Sequence, residues 1–312
     1  MRILITGGCG FIGANLLASF ATAEDLSIRV FDNESLGKHE HISEFGAEFI
    51  KGDITDPNAF DQAMKGVDAV VHLAADTRVE DSLADPAHNF LVNVVGTFNL
   101  LKSMRAQGVE RLVFASSGGT ILGEAQCPVH ENMLPNPISP YGASKLAGEG
   151  YLSAFAGAYG IKACSLRFSN VYGPRSFHKG SVVAKFFKEI LAGKTLTIFG
   201  DGTQTRDYIY AADLCQGIIK ALSLGQTGVF QLGTGRPTTI DQLINQIREI
   251  VSPQYPVEVE YTDFRSGEIV NNWCDISKAK EVLGFNPKTG LQDGLNATWQ
   301  WFQEHKSSFE LT

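Results

Sequence analysis

Short runs of apolar residues alternate with longer segments of helical spacing from the N-terminus to about residue 170. Runs such as 69–73 show no alternation of apolar and polar positions, which is typical of strands that are buried on both faces. The alternation of strand and helix is typical of βαβ units, so the pattern predicts an α/β fold with a doubly wound parallel sheet. The predicted strands are 2–6, 27–32, 47–51, 69–73, 111–116 and 162–168, and the predicted helices are 11–20, 57–64, 86–107 and 141–159.

The pattern changes after Asn170, where Pro and Gly become frequent. Segments 173–206 and 252–272 lack regular alternation, and we expect them to form a lid over the carboxyl ends of the strands, where ligands of such sheets bind. Segments 211–224 and 228–232 predict a helix and a strand that return to the main sheet. We therefore divide the chain into a nucleotide-binding domain, 1–170 with 207–235 returning to it, and a smaller α/β lobe, mainly 171–312, that binds the substrate.

The composition excludes several classes of protein. With 26 Lys and Arg against 34 Asp and Glu, the net charge of −8 disfavours binding to nucleic acid or to anionic membranes. No apolar run reaches the ~18 residues that a membrane span needs, and the chain enters a glycine-rich turn too early for a signal segment, so we expect a cytoplasmic protein. The five cysteines are scattered, without metal-ligand spacing, which argues against disulfides and a bound metal.

A glycine-rich turn follows the first predicted strand. Gly7, Gly10 and Gly13 have the spacing of a tight turn that brings a pyrophosphate to a helix N-terminus. Asp32 ends the second predicted strand, where a carboxylate accepts hydrogen bonds from the adenosine ribose. This carboxylate repels a 2′-phosphate, and the adjacent Asn33 supplies no cation to bind one, so NAD is favoured over NADP. The structural alternative is a simple tight turn and an ordinary residue at a strand end.

Tyr141 and Lys145 are four residues apart on a predicted helix and therefore share one face. A tyrosine with a pKa of about 10 is a poor base near neutrality, but a nearby ammonium and the positive charge of oxidised nicotinamide favour its phenolate. Ser116 and Ser117 lie at the end of the fifth predicted strand and supply hydroxyls. This combination indicates proton transfer coupled to hydride transfer.

The motifs resemble, in the same order and over nearly the whole chain, those of the extended short-chain dehydrogenase/reductase family. The resemblance implies a Rossmann-type fold, bound NAD and a catalytic triad of Ser117, Tyr141 and Lys145, with Ser116 as the alternative serine. For the segments after the third and fourth strands and for Asn93, core packing is the alternative to cofactor binding. The resemblance adds these residues to the predicted cofactor site: Phe11, Ile12, Asn33, Asp53, Ile54, Leu73, Ala74, Ala75, Thr77, Asn93 and Ser116.

Within this family, sugar 4,6-dehydratases carry an Asp-Glu or Ser-Glu pair after the catalytic hydroxyl, because elimination of water needs an additional acid and base. Gly118 and Gly119 occupy that place here. The resemblance therefore implies a 4-epimerase, in which Tyr141 takes the 4-hydroxyl proton and the keto sugar turns over before hydride returns to its opposite face. Ile121-Leu122 replaces the usual Val-Tyr of relatives, which weakens the subfamily assignment. A nucleotide-sugar 4-ketoreductase and a non-catalytic NAD-binding protein are the alternatives.

The resemblance also implies a UDP-sugar site. Asn170 is expected to contact the nucleotide sugar, Thr197 and Phe199 to cradle the base, and Arg206 and Arg265 to bind the diphosphate, with surface ion pairing as the alternative for the arginines. Asn272 falls near the position that limits room at the sugar C2 substituent, and its intermediate size suggests tolerance for UDP-N-acetylhexosamines beside UDP-glucose and UDP-galactose. Relatives commonly form homodimers through the helices at 86–107 and 141–159.

Overall fold

The computed structural model describes residues 1–21, 26–251, 253–264 and 269–308. The strands are β1 Arg2–Thr6, β2 Ser27–Asp32, β3 Glu48–Lys51, β4 Ala69–His72, β5 Arg111–Ser117, β6 Lys162–Phe168, β7 Asn170–Tyr172, β8 Leu196–Phe199, β9 Thr205–Arg206, β10 Tyr208–Tyr210, β11 Gly228–Leu232, β12 Thr238–Thr239, β13 Val259–Thr262 and β14 Asn271–Asn272. The α-helices are α1 Phe11–Phe20, α2 Phe60–Ala63, α3 Val79–Ala84, α4 Pro86–Phe90, α5 Gly96–Gln107, α6 Gly118–Leu122, α7 Pro140–Tyr159, α8 Val182–Leu191, α9 Ala211–Leu224, α10 Ile240–Ile250, α11 Ser277–Leu283 and α12 Leu291–His305.

The main sheet confirms the predicted doubly wound α/β fold. Over the described residues it has seven strands in the order β3-β2-β1-β4-β5-β6-β11, and every neighbouring pair is parallel. Strand β1 pairs with β2 on one side and with β4 on the other. The direction in which successive strands are added to the sheet therefore reverses at β1. Ligands of such sheets bind in the crevice at this reversal, beyond the carboxyl ends of the strands.

Successive residues of the central strands enter two different hydrophobic cores, one on each face of the sheet. Ile3 and Ile5 of β1 pack into one core, whereas Leu4 packs into the other. Val71 and Val70 of β4 divide in the same way. Because side chains of a strand point alternately to opposite faces, helices on both faces require an apolar residue at every position. This explains the unbroken apolar runs of the sequence.

Most predicted elements of the first half are confirmed with small changes of boundary. The six predicted strands each agree within one residue at either end, and 57–64 shortens to α2. The predicted helix 86–107 is divided into α4 and α5 by a π turn at Leu91–Val95. Such turns are rare and occur frequently at functional sites. Helix α7 starts at Pro140, one residue early, because the Ser139 hydroxyl accepts a hydrogen bond from Gly142 N at 3.2 Å and caps the helix.

Segment 173–206, predicted to lack regular strand–helix alternation, contains regular elements all the same, and its role as a lid stays a prediction. This segment contains α8 and β8, and α8 presents Val183, Phe186, Phe187 and Ile190 to a third hydrophobic core. That spacing is helical, and it was obscured by the Gly- and Pro-rich sequence around it. The predicted helix and strand at 211–224 and 228–232 are confirmed as α9 and β11. No described helix combines the length and hydrophobicity that crossing a bilayer requires.

Candidate active site

The glycine turn between β1 and α1 brings the backbone of two loops into close contact. Gly7 has φ +70°, and a Cβ there would lie 2.6 Å from the backbone nitrogen of Ala74. A Cβ on Gly13 would lie 2.5 Å from Gly8 Cα. Helix α1 begins after Gly10, so its first N–H groups face the crevice of the sheet. A turn with no room for side chains at a helix N-terminus fits the diphosphate of a dinucleotide.

Asp32 ties this turn to the end of β2. Its side chain is 8% exposed, and its two oxygens accept hydrogen bonds from Cys9 N at 3.0 Å and Glu34 N at 2.8 Å. Burial raises the pKa of the Asp32 carboxyl, while the two backbone hydrogen bonds lower it. Carboxylate oxygens accept more than one hydrogen bond each, so Asp32 can hold the turn and still accept from ribose hydroxyls.

Two lysines lie close to the end of β2, which the sequence did not indicate. Lys51 Nζ is 2.7 Å from Glu34 Oε2, and Lys38 Nζ donates to the Glu34 carbonyl at 2.8 Å. The hydrogen bond from Lys51 lowers the pKa of Glu34. Both cations are thus engaged by Glu34, and Asp32 keeps a carboxylate at the ribose position.

The segment after β3 lies beside the same crevice. Asn33 Nδ2 donates to Asp53 at 2.8 Å, and Thr55 donates to Asp53 from its backbone N at 2.8 Å and its hydroxyl at 2.7 Å. Burial would raise the pKa of Asp53, but these hydrogen bonds outweigh it and lower that pKa. Ile54 is buried, and a Cβ on Gly96 would lie 2.7 Å from its Cδ1. The predicted cofactor residues Asn33 and Asp53 are therefore in direct contact.

The segment after β4 runs beside the glycine turn. Leu73 N donates to Thr6 O at 3.0 Å, and Ala74 N lies 3.3 Å from Thr6 Oγ1. Leu73, Ala74 and Ala75 are all partly exposed. Their backbone thus borders the crevice where the predicted cofactor site lies.

Asn93 lies in the π turn and joins this segment to α7. Its Oδ1 accepts from Asp76 N at 2.8 Å, and its Nδ2 donates to Asp76 O at 2.9 Å and to Ser144 Oγ at 3.0 Å. Asn93 is 3% exposed and is engaged with protein groups on both sides. It positions α7 against the cofactor segment, and its own contact with a cofactor stays a prediction.

Tyr141, Lys145 and Ser117 lie together where β5 meets α7. Lys145 Nζ donates to Ala115 O at 3.0 Å and lies 5.8 Å from the centre of the Tyr141 ring. The Ser117 hydroxyl hydrogen-bonds the Tyr141 phenol. A hydroxyl, a phenol and an ammonium are thereby arranged in one group that can pass a proton.

Burial dominates the proton affinities of this group. It raises the pKa of Tyr141 to about 12, with Ser117 lowering that pKa and Asp76 raising it. Burial also lowers the pKa of Lys145 to about 8, against the raising effects of Asp76 and Glu149. In the protein alone, the Tyr141 phenol is therefore protonated at neutral pH. Burial, Ser117 and Asp76 set the pKa of Tyr141, without a contribution from Lys145, so a phenolate would need further support such as the positive charge of bound oxidised nicotinamide.

The structure distinguishes the two candidate serines. Ser116 is 3% exposed, and its hydroxyl donates to Glu149 Oε1 at 2.6 Å. Ser117 is partly exposed and contacts Tyr141. The geometry therefore favours Ser117 as the hydroxyl that meets a substrate.

A cavity of about 210 Å³ lies between the start of α1 and the Tyr141 side chain. Phe11 and Ile12 of α1 line it, and so does Asn170 of β7. The remaining lining residues are Thr77, Ser116, Ser117, Tyr141, Phe168, Ser169, Val171, Tyr172, Lys179, Ser181, Val182, Val183 and Tyr208.

Thr197, Phe199 and Arg206 do not line this cavity. The Thr197 hydroxyl donates to Glu260 at 2.7 Å, and the Phe199 ring lies 5.7 Å from Lys185 Nζ. Arg206 Nη1 donates to the carbonyls of Thr205 at 2.9 Å and of Val270 at 3.0 Å. Their predicted contacts with a nucleotide stay predictions. Arg265 lies outside the described residues.

Asn272 pairs with Arg206 in the small sheet of β12, β9 and β14. Its side chain covers Gly119, since a Cβ on that glycine would lie 1.8 Å from Asn272 Nδ2. Asn272 therefore lies over the turn that follows Ser117, although it does not line the cavity.

Three residues near the proposed chemistry were not singled out from the sequence. Lys179 lines the cavity and donates to Thr77 Oγ1 at 3.2 Å, and no local pattern could have identified it. Asp76 raises the pKa of both Tyr141 and Lys145. Glu149 lies four residues after Lys145, so the helical spacing that identified the lysine could also have identified Glu149.

Known proteins share both the sequence and this architecture. Residues 3–233 match the model of the NAD dependent epimerase/dehydratase family. UDP-glucose 4-epimerase of Mycolicibacterium smegmatis is 36% identical, with 97% of this chain and 99% of that protein covered. The structure of UDP-glucose 4-epimerase of Thermotoga maritima with UDP-glucose is similar, with TM-score 0.91, 38% identity, and 98% and 100% of the two chains covered. The structure of UDP-N-acetylglucosamine 4-epimerase of Methanobrevibacter ruminantium with UDP-N-acetylmuramic acid gives TM-score 0.91, 30% identity, and coverage of 97% and 98%. The chain therefore belongs to the NAD dependent epimerase/dehydratase family.

Proposed function

We propose that this chain is a nucleotide-sugar 4-epimerase that interconverts UDP-glucose and UDP-galactose. The observation that carries the proposal is the group of Ser117, Tyr141 and Lys145. Ser117 and Tyr141 line the cavity, together with Asn170 and with Phe11 and Ile12 at the start of α1. Similarity to UDP-glucose 4-epimerases over nearly the full chain supports the reaction and the substrate.

The triad moves one proton. Tyr141 accepts the proton of the sugar 4-hydroxyl, Ser117 hydrogen-bonds that hydroxyl, and Lys145 stabilises the phenolate by its charge. When bound, NAD supplies the hydride acceptor at the sugar C4 and the positive charge that assists deprotonation of Tyr141. After the keto sugar has turned over, the hydride would return from the reduced cofactor to the opposite face of C4, and Tyr141 would return the proton to the C4 oxygen, which completes the epimeric 4-hydroxyl.

The turn after Ser117 supports epimerisation over dehydration. A Cβ on Gly118 would lie 2.5 Å from Gln231 Oε1, and one on Gly119 would lie 1.8 Å from Asn272 Nδ2. An acidic pair at these positions would not fit without movement of both neighbours. The turn thus carries no acid or base of the kind that elimination needs, and the ends of Gln231 and Asn272 take the space beside it.

The substrate residues are assigned by combining the family pattern with their positions. Asn170 contacts the nucleotide sugar, Arg206 and Arg265 bind the diphosphate, and Thr197 and Phe199 hold the uridine. Asn272 limits the room near the sugar C2 substituent, and its modest size is compatible with N-acetylhexosamines. The similarity to a UDP-N-acetylglucosamine 4-epimerase supports this tolerance.

The cofactor residues are assigned in the same way. The glycine turn holds the diphosphate, Asp32 the adenosine ribose, and Asp53 with Ile54 the adenine. Residues 1–170 with 207–235 form the NAD-binding domain, 171–312 mainly the substrate lobe, and the enzyme acts in the cytoplasm.

The test is incubation of the purified protein with UDP-glucose, UDP-galactose and their N-acetyl forms, without added cofactor, followed by chromatographic separation of the products. We expect interconversion of the C4 epimers by the wild type and its loss in Tyr141→Phe. Consumption of a 4-keto sugar with reduced cofactor, without epimerisation, would instead establish the ketoreductase. No turnover of any sugar, together with NAD binding, would indicate a non-catalytic protein.

The homodimer is part of the proposal. Large apolar side chains are exposed along α4, the π turn and α7, including Phe90 at 57%, Leu91 at 45% and Tyr151 at 42%. Contiguous exposed apolar surface of this kind marks interaction sites. Light scattering is expected to show a dimer for the wild type and a monomer for Phe90→Asp. Leu224→Asp, on α9 at the opposite face of the sheet and 53% exposed, is the matched control and should remain dimeric.

A further inference from the structure

Three successive residues at the end of β5 are tied to one face of α7. Ala115 O accepts from Lys145 Nζ at 3.0 Å, the Ser116 hydroxyl donates to Glu149 Oε1 at 2.6 Å, and Ser117 hydrogen-bonds Tyr141. The three helix residues are spaced by four and therefore form a single row. Two of these contacts involve residues of the proposed catalytic triad. The third contact, between Ser116 and Glu149, has no role in the proposed mechanism.

Glu149 is also half of a buried ion pair. Arg167 Nε donates to its Oε1 at 2.9 Å and Nη2 to its Oε2 at 2.7 Å, with the side chains of arginine and glutamate 4% and 7% exposed. Arg167 lies directly opposite Ser116 in the register of β5 and β6. Buried ion pairs are often no more stabilising than apolar residues of similar volume. Stability alone therefore does not account for an ion pair at this position.

We infer that Glu149 is a positioning residue for the proposed epimerase reaction. Through Ser116 and Arg167 it fixes α7 against β5, and its negative charge holds the Lys145 ammonium in its charged form. The predicted effect of Glu149 on turnover rests on the proposed function. Its predicted effect on the protonation of Lys145 does not, because Lys145 titrates in the protein without substrate.

The charged groups around Lys145 set the direction of the effect. On α7 these are Tyr141 and Glu149, the segment after β4 contributes Asp76, and the segment before α8 contributes Lys179. Burial lowers the pKa of Lys145, Lys179 lowers it further, and the two carboxylates oppose this.

The neighbouring strands add three more groups. The Phe114 ring of β5 lies 5.0 Å from Lys145 Nζ, and Arg167 of β6 forms its ion pair with Glu149. Burial lowers the pKa of His72 on β4 to about 3, so this ring is uncharged at neutral pH. Asp76 and Glu149 are thus the carboxylates that keep Lys145 protonated. Removal of the charge on Glu149 lowers the pKa of Lys145, and the alkaline limit of activity moves to lower pH.

The first variant is Glu149→Gln, which keeps an acceptor for Ser116 and removes the charge. We expect the alkaline limit of kcat to move down by roughly 1 pH unit, the size of shift that loss of a nearby opposite charge produces. Glu149→Asp keeps the charge and should keep the alkaline limit. An unchanged limit in folded Glu149→Gln, whatever its kcat, would overturn the inference.

The single variant Arg167→Met separates charge from stability. It leaves the Glu149 carboxylate buried and unpaired and should lower the melting temperature, as Glu149→Gln does by leaving the guanidinium unpaired. Because Arg167→Met removes a cation and keeps the carboxylate, the alkaline limit should not move to lower pH. A limit that falls together with the melting temperature in both variants would show that Glu149 acts through stability alone, which contradicts the inference.

A measurement without substrate distinguishes this inference from the proposed function. The Lys145 side chain can be titrated by NMR of protein labelled with ¹³C at lysine Cε, with Lys145→Met identifying its signal. A lower titration midpoint in Glu149→Gln supports the inference even if no sugar is epimerised. An unchanged midpoint overturns it even if UDP-glucose is epimerised normally.

Discussion

The proposed cofactor region and the proposed substrate region of this protein are built in opposite ways. The glycine turn and Asp32 come from the first 32 residues and are joined by two short contacts, Gly7 N to Phe31 O at 2.9 Å and Cys9 N to Asp32 Oδ2 at 3.0 Å. Around Arg206, by contrast, β9 pairs with β12 and β14, which lie more than 30 residues away along the chain. The first region is specified by a continuous motif, and the second exists only once distant segments have packed.

This difference means that single substitutions should act differently in the two regions. A change in the glycine turn alters a backbone contact that no other residue can replace. A change in the substrate region removes one side chain from a surface to which several segments contribute. The following predictions test that contrast, starting with the largest effect.

Gly7→Ala should weaken NAD retention on the order of 100-fold, because a strained backbone costs about 1–3 kcal/mol and the new Cβ also meets the Ala74 backbone. Gly46→Ala is the matched control, since Gly46 has φ +63° but no atom within 4 Å of an added Cβ. The NAD content of the purified variants gives the comparison. Equal loss in both variants would mean that backbone strain, and not contact at the turn, controls binding.

Arg206→Gln should raise the KM for UDP-glucose about 10- to 100-fold, as expected for loss of a hydrogen bond between charged groups worth roughly 1.5–3 kcal/mol. NAD content should be unchanged. Arg248→Gln, an exposed arginine on α10, is the control and should behave as the wild type. Steady-state kinetics with both variants tests the assignment, and a wild-type KM in Arg206→Gln would remove Arg206 from the substrate site.

Acid should destabilise both regions through buried histidines. Burial lowers the pKa of His72 to about 3, and burial with nearby cations lowers the pKa of His178 to about 4. Below pH 6.5 the unfolded chain binds protons that the folded chain does not, so stability is complete above 6.5 and falls as the pH decreases. Between its folded and unfolded pKa values, each histidine makes the free energy of unfolding fall by about 1.4 kcal/mol for each pH unit of acidification. This corresponds to a roughly tenfold change in the folding equilibrium constant per pH unit.

Urea unfolding between pH 7 and about pH 3, the pKa of His72, measures these slopes. His72→Gln and His178→Gln should each reduce the slope, and the effect of His72→Gln should extend to lower pH because the pKa of His72 is the lower. If only one variant reduces the slope, the two regions differ in acid sensitivity as well as in construction.

Asn272→Ser should produce the smallest effect. Extra room near the sugar should raise kcat/KM for UDP-N-acetylglucosamine relative to UDP-glucose by about 3- to 10-fold, at the low end of what small changes of pocket size achieve. Competition between the two substrates in one reaction measures the ratio directly. If the ratio of kcat/KM for the two substrates equals that of the wild type, Asn272 does not determine which sugar is accepted.

The same contrast explains what the sequence could predict. Strand β1 and helix α1 were predicted with their observed bounds, because apolar runs and a glycine turn are local signals. Helix α10 was missed although it carries a local signal, namely apolar residues at helical spacing after a capping box of Thr239 and Gln242. The capping box is thus the sequence signal that identifies the start of α10.

Other features had no local signal. Lys179 reaches the cavity because α8 and the segment before it pack over Thr77, a contact across 102 residues. The choice of Ser117 over Ser116 depends on Glu149, which occupies the Ser116 hydroxyl from another element. Such properties arise from tertiary packing, which the sequence pattern of either segment alone does not contain.

The contacts of Gly118 and Gly119 have a consequence for how this enzyme could evolve. Gln231 and Asn272 occupy the volumes into which side chains at these two positions would extend. A side chain at either position would therefore require the end of Gln231 or of Asn272, each more than 100 positions away along the chain, to move aside. Laboratory evolution toward elimination chemistry is expected to gain most from libraries that vary all four positions together, because the space for a new acid or base in the turn depends on the distant pair.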